Sequence, residues 1–258
     1  MLEETRLHRI CALLSTLNHV STDMIIQQLG VSRETVRRDV LKLEAMGRLR
    51  RVHGGVISCD SEPELPLNIR SAVKEKEKRA ITLATVKQLR SGQTVFIDAG
   101  STTSLLTTPL LSMSGLTIIT NSLEIAAKLS PLESDVPLQH DVILLGGHMG
   151  SLAQATAGEV TIAELSRYRA DLALLSPVGI SAHAGASSFS HQEAAIASAM
   201  TKYAKSTYIL ADSSKLGITS RIVYAAPAQI TKIITDEGAK QHPEFELLEN
   251  AGREMIVA

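Results

Sequence analysis

Between residues 94 and 257, short apolar runs alternate with helical segments, and this alternation constrains the fold more than any other feature. The runs lie at 94–97, 117–120, 142–145, 172–175, 207–211, 222–225, 232–235 and 255–257. Amphipathic stretches at 104–111, 124–129, 159–167, 192–203 and 244–250 separate most of them. Strands apolar on both faces and joined by helices pack as a mostly parallel sheet with helices on either side. The expected fold class is therefore α/β, with a Rossmann-like body. In such a sheet a ligand binds outside the carboxyl ends of the strands.

Those ends are where small polar residues gather. Asp98, Gly100, Ser101, Thr102 and Thr103 follow the first run, and Thr120, Asn121 and Ser122 end the second. Gly146 and Gly147 follow the third, Gly179 the fourth, and Asp212 to Lys215 the fifth. Glycine lets a backbone approach a ligand, and free amides and hydroxyls at a helix start suit an anion such as phosphate. Lys215 would be its cation. Each loop alone also fits an ordinary capped turn, and Lys215 an ordinary surface lysine. Recurrence at five successive ends favours one shared pocket. Asp171 precedes Leu172, Ala173 and Leu174, so it either orders the strand start or hydrogen-bonds a ligand hydroxyl.

The N-terminal residues have a different period. In VSRETVRRDVLKLEAMGRLRRVHGG (31–55), Val36, Val40 and Leu43 share one helical stripe, capped by Ser32 and closed by Gly47. The opposite face carries Glu34, Arg38 and Lys42, flanked by Thr35 and Arg37. Arginine can pair bidentately with guanine and threonine can touch a thymine methyl. Residues 49–57 form a hairpin turning at Gly54-Gly55. Leu7, Ile10, Cys11 and Leu14 mark a first amphipathic helix. Ser21 caps a second with apolar Met24, Ile25 and Leu29, and Gly30 makes the turn into the third. Helix, helix, turn, helix and basic hairpin is the order of a winged helix-turn-helix.

Ser32, Thr35-Val36-Arg37-Arg38-Asp39-Val40, Leu43-Glu44 and Arg51-Val52-His53-Gly54-Gly55 resemble the DNA-binding domain of the DeoR/GlpR family of bacterial repressors. Asp98-x-Gly100-Ser101-Thr102, Thr120-Asn121-Ser122, Gly146-Gly147, Gly158, Asp171, Gly179, Glu193 and Asp212-Ser213-Ser214-Lys215 resemble that family's effector domain. The resemblance implies that Thr35, Arg37 and Arg38 face DNA and that the wing flanks it. Ser32, Arg33, Glu34, Lys42, Arg50, Arg51 and His53 complete the expected contact set. For the body it implies a fold similar to sugar-phosphate isomerases and a phosphorylated sugar or sugar-acid effector. That effector would be held by Asp98, Gly100, Ser101, Thr102, Thr103, Asn121, Ser122, Gly146, Gly147, Asp171, Gly179 and Lys215. Ser176-Pro177 departs from the Gly-containing turn of relatives.

Three segments are expected: a winged helix-turn-helix at 1–58, a linker at 59–73 and an effector-binding, oligomerising domain at 74–258. Charge agrees with that division. Residues 1–58 hold nine Lys/Arg against six Asp/Glu, and the remainder 17 against 21. A basic head on an acidic body fits a nucleic-acid module attached to something else. Residues 68–90 read as one connecting helix whose charged start is a solvated face. Cys11 and Cys59 fit neither a disulfide framework nor a zinc site, so no metal and no cofactor is expected. Absence of a signal peptide or an apolar run of about eighteen residues points to a soluble cytoplasmic chain with no membrane partner. The expected partners are double-stranded operator DNA, the effector and further copies of the chain, as a dimer or tetramer. The alternative is an active isomerase carrying a DNA-binding head. No second carboxylate follows Asp171, and His183, His191 and Glu193 suit helix-start roles, so no catalytic residue is expected.

Overall fold

The computed structural model describes residues 3–17, 19–46, 48–52, 54–58, 67–130, 138–150 and 154–258. The chain divides into two units, Met1–Leu65 and Pro66–Ala258.

The first unit contains α1 (Glu3–Leu17), β1 (His19–Ser21), α2 (Thr22–Leu29), α3 (Arg33–Ala45), β2 (Leu49–Val52) and β3 (Gly55–Ser58). Both caps form: Ser21 Oγ accepts the Met24 amide at 3.1 Å and Ser32 Oγ the Thr35 amide at 3.2 Å. Gly30 closes α2 in the left-handed region, φ 64°, which an L side chain resists. Val36, Val40 and Leu43 bury the expected stripe against Ile10, Leu14, Ile25 and Leu29. Each such side chain contributes about 1.5–3 kcal/mol by leaving water. Met24 does not join them, being 41% exposed, because it sits one 100° step round the helix from Ile25. β1 was not foreseen. Its three residues pair with β3 and give a three-stranded antiparallel sheet, β1-β3-β2. Gly47, expected to end α3, lies outside the described residues.

A largely buried ion pair helps fasten this unit. Arg6 donates from Nε to Asp39 Oδ2 at 2.6 Å and from Nη2 to Oδ1 at 3.0 Å, joining α1 to α3. Asp39 is 2% exposed. The hydrogen bond to Asp39 holds the Arg6 guanidinium above its ordinary pKa.

The second unit begins with α4 (Leu67–Ala72) and α5 (Glu75–Val86). These replace the single helix expected over 68–90. The break falls at Val73-Lys74, where Lys74 takes φ 52°, ψ 40°. Thus α4, within the stretch read as linker, belongs to the second unit. There follow β4 (Thr94–Ile97), a 3-10 turn at Thr103–Leu106, α6 (Thr107–Leu110), β5 (Thr117–Thr120), α7 (Leu123–Leu129) and β6 (Asp141–Leu144). Next come β7 (His148–Gly150), β8 (Ala155–Ala157), α8 (Glu159–Leu165), β9 (Ala170–Leu175), β10 (Gly179–Ser181) and β11 (Gly185–Ser188). The chain ends with α9 (His191–Tyr203), β12 (Ala204–Leu210), β13 (Ile222–Ala225), β14 (Lys232–Thr235), α10 (Pro243–Asn250) and β15 (Glu254–Val257).

Seven strands pair in parallel in the order β15-β14-β12-β9-β4-β5-β6. The period-2 alternation of side chains splits the core in two. Val95, Ile97, Ile118, Leu172, Leu174 and Leu210 face Ile81 of α5, Leu110 of α6 and Ile125 of α7. Phe96, Ile119, Ala173, Leu175 and Ile209 face Leu165 of α8, Met200 of α9 and Leu248 of α10. The run at 222–225 does not join this sheet. As β13 it pairs antiparallel with β11 in a small sheet, β10-β11-β13. From β4 the chain steps outward through β5 to β6, then crosses back to β9 on the other flank of β4. The sheet therefore switches direction between β4 and β9, the position where doubly wound sheets open a ligand crevice.

Candidate functional site

In the first unit, α3 presents one face of charge. Ser32, Arg33, Glu34, Arg37, Arg38 and Lys42 are exposed and Thr35 is half-buried. Each of the cations Arg33, Arg37, Arg38, Lys42 and Arg51 has an acidic partner. Glu34 takes Arg37 Nε on Oε2 at 3.1 Å and Arg38 Nε on Oε1 at 3.4 Å. Arg33 pairs with Asp23, Lys42 with Glu3 at 2.7 Å, and Arg51 with Glu44 at 2.6 Å. The hydrogen bond from Arg37 is the largest cause holding the Glu34 carboxyl below its usual range. For Glu44 the Arg51 backbone amide is the largest cause. Exposed pairs of this kind contribute little stability and exchange readily for other anions. Arg50 and Arg51 lie exposed on β2, and His53 lies outside the described residues.

In the second unit, the loop after β4 sits at the switch point. The Asp98 carboxylate accepts the Ser176 amide on Oδ2 at 2.8 Å, which binds the ends of β4 and β9 together. It accepts Thr103 Oγ1 on Oδ1 at 2.7 Å, and Thr103 Oγ1 in turn accepts the Gly100 amide at 2.8 Å. Gly100 packs so closely on Ser176 that a Cβ there would lie 2.6 Å from Ser176 Cβ. Its missing side chain thus serves the packing of two strand ends. Ser101 and Thr102 are buried beside it.

The charge run at the start of α5 is not uniformly solvated. Lys78 is 3% exposed, and its Nζ donates to Ser101 Oγ at 3.1 Å and to the Arg70 carbonyl at 2.6 Å. A lysine buried on the anion-suited loop is the candidate site residue that sequence reasoning missed. The signal was present, since Lys78 precedes Ile81 by three residues and so shares its buried face.

Other expected residues divide. Asn121 and Ser122 follow β5; Asn121 Nδ2 donates to the Thr156 carbonyl at 3.0 Å, while its buried Oδ1 has no hydrogen-bond partner among the described residues. Ser122 caps α7 by accepting the Ile125 amide. The Gly146 amide is already taken by Glu164 Oε2 at 2.6 Å, and Gly147 leads into the β7–β8 hairpin. Gly179 lies beyond Ser176 in the small sheet, opposite Ser187. Lys215 is half-buried at the end of the turn after β12, where Asp212 caps Ser214 at 3.0 Å. Asp171 is a correction. It stands at the start of β9, at the opposite edge of the sheet, where Oδ2 accepts the Thr94 amide at 3.0 Å and Oδ1 accepts Lys205 Nζ at 2.8 Å. The Lys205 hydrogen bond holds its carboxyl below the usual range, so Asp171 orders strand starts and takes no part in the strand-end site. Among the described residues no cluster of three or more His, Cys, Asp or Glu could hold a metal ion, and no helix is long and apolar enough to cross a membrane.

Burial pushes the Asp98 carboxyl up to about 7, with the Glu193 charge adding to it, against the hydrogen bonds from Ser176 and Thr103. This gives a pH dependence of stability. The folded chain keeps the Asp98 proton up to about 7, while the unfolded carboxyl releases it in the ordinary range. Between those values the native state binds more protons, so this stabilising contribution is fully present in acid and lost as pH rises through 7. Asp98→Asn removes the titration. The urea midpoint of the second unit in this variant is expected to gain on wild type from about pH 5 to about pH 8. An equal gap at both ends of that range would discard the assignment.

The two halves match two family descriptions. The DeoR-like helix-turn-helix domain covers residues 6–62, and the DeoR C terminal sensor domain covers residues 73–237. The HTH-type transcriptional repressor GlcR of Bacillus subtilis (strain 168) is 34% identical over 258 residues, 100% of this chain and 97% of the relative. The glycerol-3-phosphate regulon repressor of Escherichia coli (strain K12) is 28% identical over 236 residues, 91% of this chain and 92% of the relative. A solved structure of ribose 5-phosphate isomerase A from Methanocaldococcus jannaschii aligns at 15% identity with a TM-score of 0.38, covering 55% of this chain and 54% of that one, too distant to bear on the site. A helix-turn-helix head carrying an arginine pair, and a parallel-sheet sensor domain, matched over nearly the whole length of named repressors, leave one conclusion: the chain belongs to the DeoR family of transcriptional regulators.

Proposed function

We propose that this regulator represses genes of sugar or polyol use. It holds double-stranded operator DNA through α3 and the β2–β3 wing, and lets go when a phosphorylated sugar or sugar acid occupies the strand-end site. The observation that carries the reading is Lys78, a buried amine on the Ser101 hydroxyl at the switch point of the sheet. A desolvated cation beside buried hydroxyls fits a phosphate far better than a neutral ligand. The half-buried Lys215 would add a second positive group, and the unpartnered Asn121 Oδ1 would accept a ligand hydroxyl. The phosphate ester named in the Escherichia coli relative supports the same chemistry.

The site acts as a sensor rather than a catalyst. Isomerisation needs a carboxylate free to take a proton from the substrate. Both oxygens of Asp98 are already engaged, by Ser176 and Thr103. The regulator works in the cytoplasm as a dimer or tetramer, so that two heads span two half-sites. It needs no cofactor or metal.

The test is operator binding at fixed salt across titrations with a panel of sugar phosphates, because salt alone shifts such affinities strongly. One member should weaken operator binding, and operator DNA should weaken its binding by the same factor. If no member of the panel changes operator affinity, the reading is wrong.

A further inference from the structure

α3 carries three acids, and two of them hold the head together. Asp39 clasps Arg6 of α1, and Glu44 accepts the Arg51 amide of β2 at 3.0 Å and its Nε at 2.6 Å. Glu34 fastens no second element. Among the described residues its partners are Arg37 and Arg38 of the same helix, one on each carboxylate oxygen. It lies exposed in the first turn, two residues after the Ser32 cap. The N-terminal turn of a recognition helix is the part that meets base edges. The neighbouring Thr35 hydroxyl is engaged with Ser32 Oγ at 2.9 Å, which leaves Glu34 and the arginines as the polar groups to meet them.

An acid at this place works against DNA in general, because phosphates repel it. Only a hydrogen-bond donor in the groove can offset that repulsion. In the major groove guanine shows two acceptors, thymine an acceptor and a methyl, and adenine a donor beside an acceptor. Cytosine shows the N4 amine alone. An ionised carboxylate only accepts, so cytosine is its one full match.

We infer that Glu34 reads cytosine: one carboxylate oxygen accepts the N4 amine while the other stays on an arginine, and the same charge rejects guanine and thymine. The inference rests on the proposed docking of α3 in operator DNA. Each arginine meets Glu34 most closely through Nε, so its Nη groups remain for guanine or phosphate. All three side chains share one carboxylate. The bases they read therefore lie within one or two base-pair steps, at about 3.4 Å per step. The arginines set the sign of the effect. Neutralised by them, the carboxylate gains from the amine; left bare, it is dominated by phosphate repulsion. Glutamine at this position would keep the length and add a donor, which matches the N6 and N7 edge of adenine.

Selection from a pool of random-sequence duplexes by the full-length chain tests this. The wild-type motif should contain, in each half-site, a cytosine within two steps of a guanine. Replacing that cytosine by thymine should weaken binding about ten-fold. Glu34→Gln should select adenine at that column, keep the guanines, and hold scrambled duplex more tightly than wild type does. Glu34→Ala should lose preference at that column alone. Melting of all three proteins is followed alongside, since losing a first-turn acid lowers stability without touching base preference. A wild-type motif without such a cytosine overturns the inference, and so does one motif common to wild type and Glu34→Gln. If the guanine columns blur together with the cytosine in Glu34→Ala, Glu34 positions the arginines and reads no base. If wild type selects no motif at all, the head does not read sequence, and the proposed function fails before the role of Glu34 arises.

Discussion

Arg37→Ala and Arg38→Ala should each weaken operator binding by about 1–3 kcal/mol, five- to 150-fold, and the double variant should lose more than the sum. The reason is Glu34, which faces the same surface and carries both arginines on its two oxygens. Either single variant leaves one guanidinium to neutralise that carboxylate. The double variant leaves a bare negative charge where DNA phosphates must approach, which adds repulsion to the lost contacts. Adding Glu34→Gln to the double variant should therefore recover part of the affinity. Arg51→Ala, on the wing, should weaken all sequences about equally, as a phosphate contact does. The measurement is a set of titrations of operator and scrambled DNA at several salt concentrations. Strict additivity of the two alanine variants would show that Glu34 does not couple them.

Lys78→Met should raise the dissociation constant of the effector by about ten- to 150-fold, from the loss of a charge-assisted hydrogen bond of about 1.5–3 kcal/mol. Methionine is apolar and of similar length, so the packing beside Ile81 is largely kept. Lys215→Ala should cost less, because a half-buried cation is partly screened by water and salt. Direct calorimetric titration is the appropriate readout, since operator release mixes ligand affinity with coupling. A Lys78→Met protein that melts normally and binds its effector with the wild-type constant would remove Lys78 from the site.

The readable parts of this chain are those whose signal is local. Val36, Val40 and Leu43 at helical spacing, with a serine cap, place α3 to within a residue or two. The runs of the seven-stranded sheet are legible because strands buried on both faces are apolar throughout. The small strands were missed because they are short and carry little apolar signal, or because a partner lies far along the chain. β10 and β11 consist of Gly, Ala, Ser and one Ile, and β11 finds its second partner in β13, more than thirty residues on. The same non-local pairing took 222–225 out of the main sheet. Among the candidate site residues, Ser101, Asn121 and Lys215 follow from the strand-end rule. Asp171 was misplaced because it precedes its strand, and the rule applied strictly would have put it at the other edge. Lys78 hides in Glu75-Lys76-Glu77-Lys78-Arg79, where charge draws attention away from helical phase.

The Arg6–Asp39 clasp has a consequence for recoding the head. Asp39 sits directly after the arginine pair, yet it is turned inward to α1 and reads no base. The surface of α3 thus separates into positions 33, 34, 37 and 38, whose side chains are exposed, and positions 36, 39, 40 and 43, which are buried in the head's core. A library confined to the first four can explore new operators on an unchanged scaffold. One that randomises the neighbouring acid together with the arginines would discard most of its members as unfolded protein, and the surviving sequences would report on folding rather than on DNA.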